Sequence, residues 1–247
     1  MKKSEKRRAL RQKQKFNAIT NVVLGMLVLS IGALCLAPTN NAITTESDNA
    51  ELYRSAGSNS NGVSLMFNVY WGTEEVYQIL ETLKMHNAKA TFFVGGCWAD
   101  DNVDCLRDIA AGGHEIGNHG YFHKDHDKLS LAQNKKEIDD CNRFIELVLG
   151  VKPTLFAPPS GAYNNDTLTA CKALNMKTIL WSRDTIDWRD KNAALIYTRA
   201  TKNVHGGEFV LMHPMEATAN ALDDILKYYE KQSLSVITVS ENLQIKG

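Results

Sequence analysis

From residue 63 onward, short apolar runs alternate with stretches whose apolar residues recur every three or four positions, and this alternation restricts the fold more than any other feature. The runs at 63–67, 90–94, 114–117, 154–156, 177–181, 209–212 and 235–239 have the length of buried strands. Residues 74–86 put Val76, Ile79, Leu80 and Leu83 on one helical face, and further helical patterns follow at 103–111, 131–149, 166–174, 192–202 and 220–229. Ser130 stands where an N-cap is needed before 131–149, and Gly150 where a helix ends. Parallel strands need a crossover, so about seven such β/α units predict a parallel sheet. Spacing alone leaves both an open doubly wound sheet and a closed barrel available.

The N-terminal quarter is of another kind. Residues 1–15 carry eight Lys/Arg and one acid, Glu5, so the rest of this 247-residue chain of zero formal charge holds 20 bases against 27 acids. An acidic domain argues against a nucleic-acid partner. Residues 18–37 contain no charge, and as a helix they would be ~30 Å long, one hydrocarbon core. The length, with Pro38 directly after Ala37, favours an uncleaved anchor (residues 18–38) over a cleaved signal peptide. The basic residues 1–17 then form a cytoplasmic tail, and the chain is a single-pass cell-membrane protein with its main domain, 63–247, outside the cytoplasm. Residues 39–62, rich in Asn, Ser, Thr and Ala, read as a linker. Outside the anchor lie Cys97, Cys105, Cys141 and Cys171, an even number that allows two disulfides or four free thiols.

Unusual polar residues fall where the predicted strands end, the face on which parallel α/β proteins gather their chemistry. Asn68 follows the first strand, His119 and His123 the third, the Pro158–Pro159–Ser160–Gly161 turn the fourth, Asp184, Asp187 and Trp188 the fifth, and His213 the sixth. Neutral imidazoles three residues apart in NHGYFH can meet one divalent ion. A carboxylate from Asp184 or Asp187 can orient His213 as a general acid. Trp71 and Trp188 are placed to stack on sugar rings, or simply to pack the rim.

The stretches ATFFVGG (90–96), GHEIGNHGYFH (113–123), FAPPSGAYN (156–164), WSRDTIDW (181–188), VLMHP (210–214) and VITVSENL (236–243) together resemble the polysaccharide deacetylase family, the NodB-homology or carbohydrate esterase family 4 domain, in its sporulation-type branch. The resemblance implies an α/β fold, a distorted (β/α) barrel. It also implies metal-assisted removal of acetyl from an N-acetylated cell-wall polysaccharide, peptidoglycan or a chitin-like glycan, by a monomer. Residues 63–247 would be the catalytic domain. The divalent metal, zinc or else cobalt, manganese or nickel, would sit on His119 and His123, with Asn68 a weak further ligand. His213 would protonate the leaving amine, held by Asp187 or Asp184, with Tyr70, Trp71, Pro159, Tyr163 and Trp188 around the sugar. The chain departs from the family at three positions: Asn68 stands for the usual base Asp, Val69 for a metal-binding Asp, and Ala157 for an Arg. An amide does not take up a proton near pH 7, and valine binds no metal. A glycan-binding relative without catalysis, acting in wall or spore assembly, is therefore the alternative expectation.

Overall fold

The computed structural model describes residues 52–57 and 60–244. The tail and anchor expected over 1–38, and most of the linker, lie outside these residues. No helix among the described residues is long and apolar enough to cross a membrane.

The strands are β1 (Leu52–Tyr53), β2 (Gly62–Val69), β3 (Thr91–Val94), β4 (Glu115–Asn118), β5 (Leu155–Phe156), β6 (Lys177–Ile179), β7 (Arg183–Asp184), β8 (Phe209–Met212) and β9 (Ser235–Val236). They run in the order β1-β6-β5-β4-β3-β2-β8-β7, every pair parallel, with β9 against the start of β2. β6 and β7 are successive pieces of residues 177–184. Because β6 pairs with β5 while β7 pairs with β8, that one stretch joins the two ends of the row and makes a distorted barrel. The spacing had left this choice open. β1 wedges into the irregular seam, bonded to β6 at Thr178 and Ile179 and bridged from Ser55 to Glu208. Leu52, Tyr53 and Ser55, expected as linker, thus pair with the sheet. Their polar composition hid a strand of two residues, too short to show an apolar period.

The helices are α1 (Thr73–Met85), α2 (Gly96–Asp101), α3 (Val103–Ala111), α4 (Leu131–Leu149), α5 (Asn165–Ala173), α6 (Asp187–Asp190), α7 (Ala193–Thr201), α8 (Glu216–Lys231) and α9 (Val239–Asn242). α1 buries Val76, Ile79 and Leu83, the expected stripe. Ser130 and Gln133 close a reciprocal capping box at the start of α4, and Gly150 ends it in the left-handed region.

Side chains alternate across each strand. In β2, Val63, Leu65, Phe67 and Val69 face a large cluster shared with the helices. Met66 joins Phe93, Leu155, Ala157, Ile179 and Phe209 in a smaller cluster that fills the barrel interior. The four cysteines Cys97, Cys105, Cys141 and Cys171 are free thiols. The disulfide option is therefore not taken among them.

Candidate active site

The site forms at the carboxyl ends of the strands, and each main contributor is aimed by its own element. Parity puts Asn68 on the same side of β2 as Met66, so its amide enters the barrel mouth, where it is 3% exposed. His119 directly follows β4. Its Nδ1 bonds the Ala157 carbonyl at 2.7 Å. A carbonyl only accepts, so Nδ1 carries the proton and Nε2 keeps its lone pair. Burial first, then the neighbouring His123, holds His119 well below the usual imidazole range.

His123 adopts φ 53°, a left-handed turn that brings its ring to 5.0 Å (centroid to centroid) from His119. Burial lowers its pKa as well. This turn is tied down from α4. Glu137, buried, accepts the Phe122 N–H at 2.9 Å and pairs with Lys124. Asn118 accepts from Gly120 N and donates to the Ile138 carbonyl and the Asn142 amide oxygen.

His213 follows β8. Fully buried Asp187 bonds His213 Nδ1 at 2.7 Å and the His213 backbone N–H at 2.6 Å, and also accepts from Trp188 N and Thr218 Oγ1. This settles the choice between the two aspartates: Asp187 holds His213. Asp184 instead accepts from Ile186 N and presents itself to the cavity.

The altered first motif has a structural role. Tyr70 lays its ring 4.6 Å from that of His123, and Trp71 stacks parallel to His213 at 5.8 Å. Gly95 accepts the tyrosine, since a Cβ there would lie 2.7 Å from its ring.

A cavity of about 320 Å³ is lined by Asn68, Trp71, His119, His123, Ser160, Trp181, Asp184, Trp188, Leu211 and His213. Eight residues placed at strand ends by the sequence reading, Ser160 of the 158–161 turn among them, therefore come together. Asp187 stands behind His213. Tyr70 backs His123 and does not line the cavity, and neither Pro159 nor Tyr163 does so. Trp181 and Leu211 were not assigned to the site by the sequence reading. The signal that finds them is inward parity: Leu211 alternates with outward Val210 and Met212, and Gly161 leaves space for Trp181, whose ring a Cβ would meet at 2.8 Å. An adjoining groove of about 790 Å³, lined in part by Gly72, Lys191, Pro214 and Met215, shares Trp71 and Trp188 with the cavity.

The donors do not fit a tightly held divalent metal. The two imidazoles supply neutral nitrogens and Asn68 at most a neutral oxygen. Val69, where the anionic ligand is expected, has its side chain sealed in the helix-side cluster. Among the described residues, no three His, Cys, Asp or Glu side chains come together as a ligand set. Ala157 is likewise sealed beside Met66, Phe93 and Leu155, leaving no arginine to balance a carboxylate at position 68. The residues present thus support no step through a metal.

Residues 56–179 match the family model described as polysaccharide deacetylase. The chain is 38% identical over 179 residues to YlxY of Bacillus subtilis, an uncharacterized protein, covering 72% of this chain and 56% of YlxY. It is 33% identical over 175 residues to a peptidoglycan-N-acetylglucosamine deacetylase of Bacillus cereus, covering 68% of this chain and 82% of that one. Among solved structures, it superposes on a wild-type family 4 carbohydrate esterase pseudoenzyme of Bacillus anthracis with a TM-score of 0.77 and 34% identity, over 80% of this chain and 70% of the other. A mutant of that pseudoenzyme is described as having restored enzymatic activity. With these matches spanning the barrel and the motif residues gathered at its mouth, the chain belongs to the polysaccharide deacetylase family, carbohydrate esterase family 4.

Proposed function

We propose that the protein binds N-acetylated cell-wall glycan, of the peptidoglycan or chitin-like class, in the cavity and groove at the barrel mouth, and holds it without removing the acetyl group. One observation carries this reading: the position of the family's base is a buried carboxamide, Asn68, with Val69 and Ala157 sealed in apolar clusters where the family's anionic metal ligand and arginine are expected. Amide hydrolysis needs a proton acceptor for the attacking water and charge to stabilise the oxyanion. The cavity keeps the proton donor: Asp187 takes Nδ1–H of His213, which leaves Nε2 free to serve a leaving amine. It keeps the sugar platforms too. Trp71 and Trp188 are 40% and 50% exposed, and both belong to cavity and groove alike, as a bound polymer requires.

The charge-free segment 18–38, with its basic flank, supports a membrane anchor that keeps residues 1–17 in the cytoplasm and presents a monomeric domain to the wall. The intact His213–Asp187 pair favours a second reading, an active deacetylase. The two part in one experiment. Titrating the purified chain with N-acetylglucosamine oligomers should quench tryptophan fluorescence, while incubation with zinc, cobalt, manganese or nickel releases no acetate. Acetate release that disappears in His213→Ala would replace binding by hydrolysis.

A further inference from the structure

The cavity at the barrel mouth is the smaller of two joined spaces, about 320 Å³ against about 790 Å³ for the groove beside it. The groove forms where two loops approach closely. Gly72, at φ 77°, passes the Pro214 carbonyl where a Cβ would not fit, and Trp71 Nε1 donates to Met215 Sδ at 3.2 Å. That bond holds Trp71 as a wall shared by cavity and groove. Beyond Trp71 and Trp188 the lining changes character. No further aromatic ring lines the groove, so a second sugar finds no stacking platform there. Small apolar residues, Ala193, Pro214 and Ala217, stand instead beside Glu75, Glu216 and Lys191.

What lacks a partner also differs between the two spaces. In the cavity it is a neutral atom, the buried Asn68 Oδ1. In the groove it is charge: among the described residues, neither Lys191 nor Glu75 nor Glu216 forms an ion pair. The charged residues just before Lys191 are engaged, Asp187 with His213 and Asp190 with Arg189 and Arg199. Lys191 ends α6 in the left-handed region, φ 45°, and lines the groove with its charge unmatched. A neutral polymer gains nothing from charges of both signs. A ligand that has carboxylates and an amine gains from each.

We propose that the groove seats a short peptide borne by the sugar backbone, its carboxylate meeting Lys191 and its amine meeting Glu75 or Glu216, so that the glycan held here is peptidoglycan with its peptides in place and not a bare chitin-like chain. The inference rests on the glycan-binding reading and chooses between the two polymers that reading leaves open. The selection is by charge, the property in which the polymers differ. A chitin-like chain is uncharged throughout, whereas peptidoglycan has on alternate sugars a peptide with free carboxylates and an amino group. The pairs would be partly exposed, so each adds only a few-fold to affinity.

Calorimetry on the full chain tests this with three tetrasaccharides: a peptidoglycan fragment with its peptides, the same fragment after the bond joining peptide to sugar is cut, and chitotetraose. The intact fragment is expected to bind about fivefold more tightly than either of the others, the effect of a few exposed ion pairs. That gap, measured at about 0.1 M salt, should close at about 1 M, where screening shortens the reach of charge to ~3 Å. In Lys191→Gln combined with Glu75→Gln and Glu216→Gln, the gap should fall below about twofold at the lower salt. Should this triple variant melt below wild type, Lys191→Gln alone takes its place. Equal affinity of wild type for the three ligands, or a gap that persists at high salt or in the variant, overturns the peptide groove and leaves glycan binding standing. Intact and stripped fragments that bind equally, both above chitotetraose, assign the effect to the carboxylate left on the sugar and overturn it too. Failure of wild type to bind any of the three overturns the glycan reading itself.

Discussion

At the scale of single residues, the site divides into groups whose chemistry announces them and groups that only burial reveals. His119, His123 and His213 were legible because imidazoles at strand ends are rare and demand a reason. Asp187 and Asp184 were not separable in sequence, since both lie in one turn within reach of His213. The choice is made by Ile186, a β-branched residue held at φ 53°, which turns the chain so that Asp187 points inward. Glu137 was invisible, because a glutamate inside an amphipathic helix reads as solvent-facing, yet it is 5% exposed and holds the turn between the histidines. Asp187 accepts four hydrogen bonds in a fully buried position. Asp187→Asn replaces one acceptor oxygen with a donor facing other donors. The expected loss is about 3 kcal/mol of stability, read from urea unfolding. A variant as stable as wild type would mean that the carboxylate is not the anchor of His213.

At the scale of elements, helix ends were the most readable feature, since capping is local chemistry. Ser130 and Gly150 bound α4 where the residue types place them. Short pieces were missed: β1 has two residues and α6 four, too few to establish a period. Two glycines make a paired prediction. Gly72, at the start of α1, has φ 77°, and a Cβ there would lie 2.2 Å from the Pro214 carbonyl oxygen, where the β8–α8 loop crosses. Gly150 has φ 72° with open space around it. Gly150→Ala should therefore cost only the left-handed backbone term, about 1–2 kcal/mol. Gly72→Ala adds a clash with backbone and should cost more, about 3 kcal/mol. Thermal melts of the two variants check the order, and equal losses would deny the close approach of the two loops.

At the scale of the whole molecule, the fold keeps several imidazoles neutral in its interior. Burial, helped by Lys89, pushes His114 down to about 4, and burial also lowers His119, His123 and His126. These groups take up protons in the unfolded chain before they do so in the folded one. Their contribution is complete above about pH 6.5 and is lost as pH falls toward 4. His114 alone accounts for about 2 kcal/mol at pH 5. His86 acts in the opposite sense. Burial pulls it down, but bonds to Glu230 and Asp223 raise it on balance, so its smaller contribution grows as pH falls toward 6.5 and is complete below it. The urea midpoint should therefore be lower at pH 5 than at pH 7. A midpoint that rises on acidification would show that the buried histidines are protonated in the folded protein.

The sequence by itself determined the α/β class, most elements, the family and the side of the barrel on which the histidines lie. All of these follow from local periodicity, capping and residue type. Only the tertiary structure decided that residues 177–184 close the barrel, that Asp187 and not Asp184 holds His213, that Val69 and Ala157 are sealed in apolar clusters, and that Asn68 faces the cavity unpartnered. Each of these depends on which groups from distant parts of the chain exclude water together, and no local pattern records that.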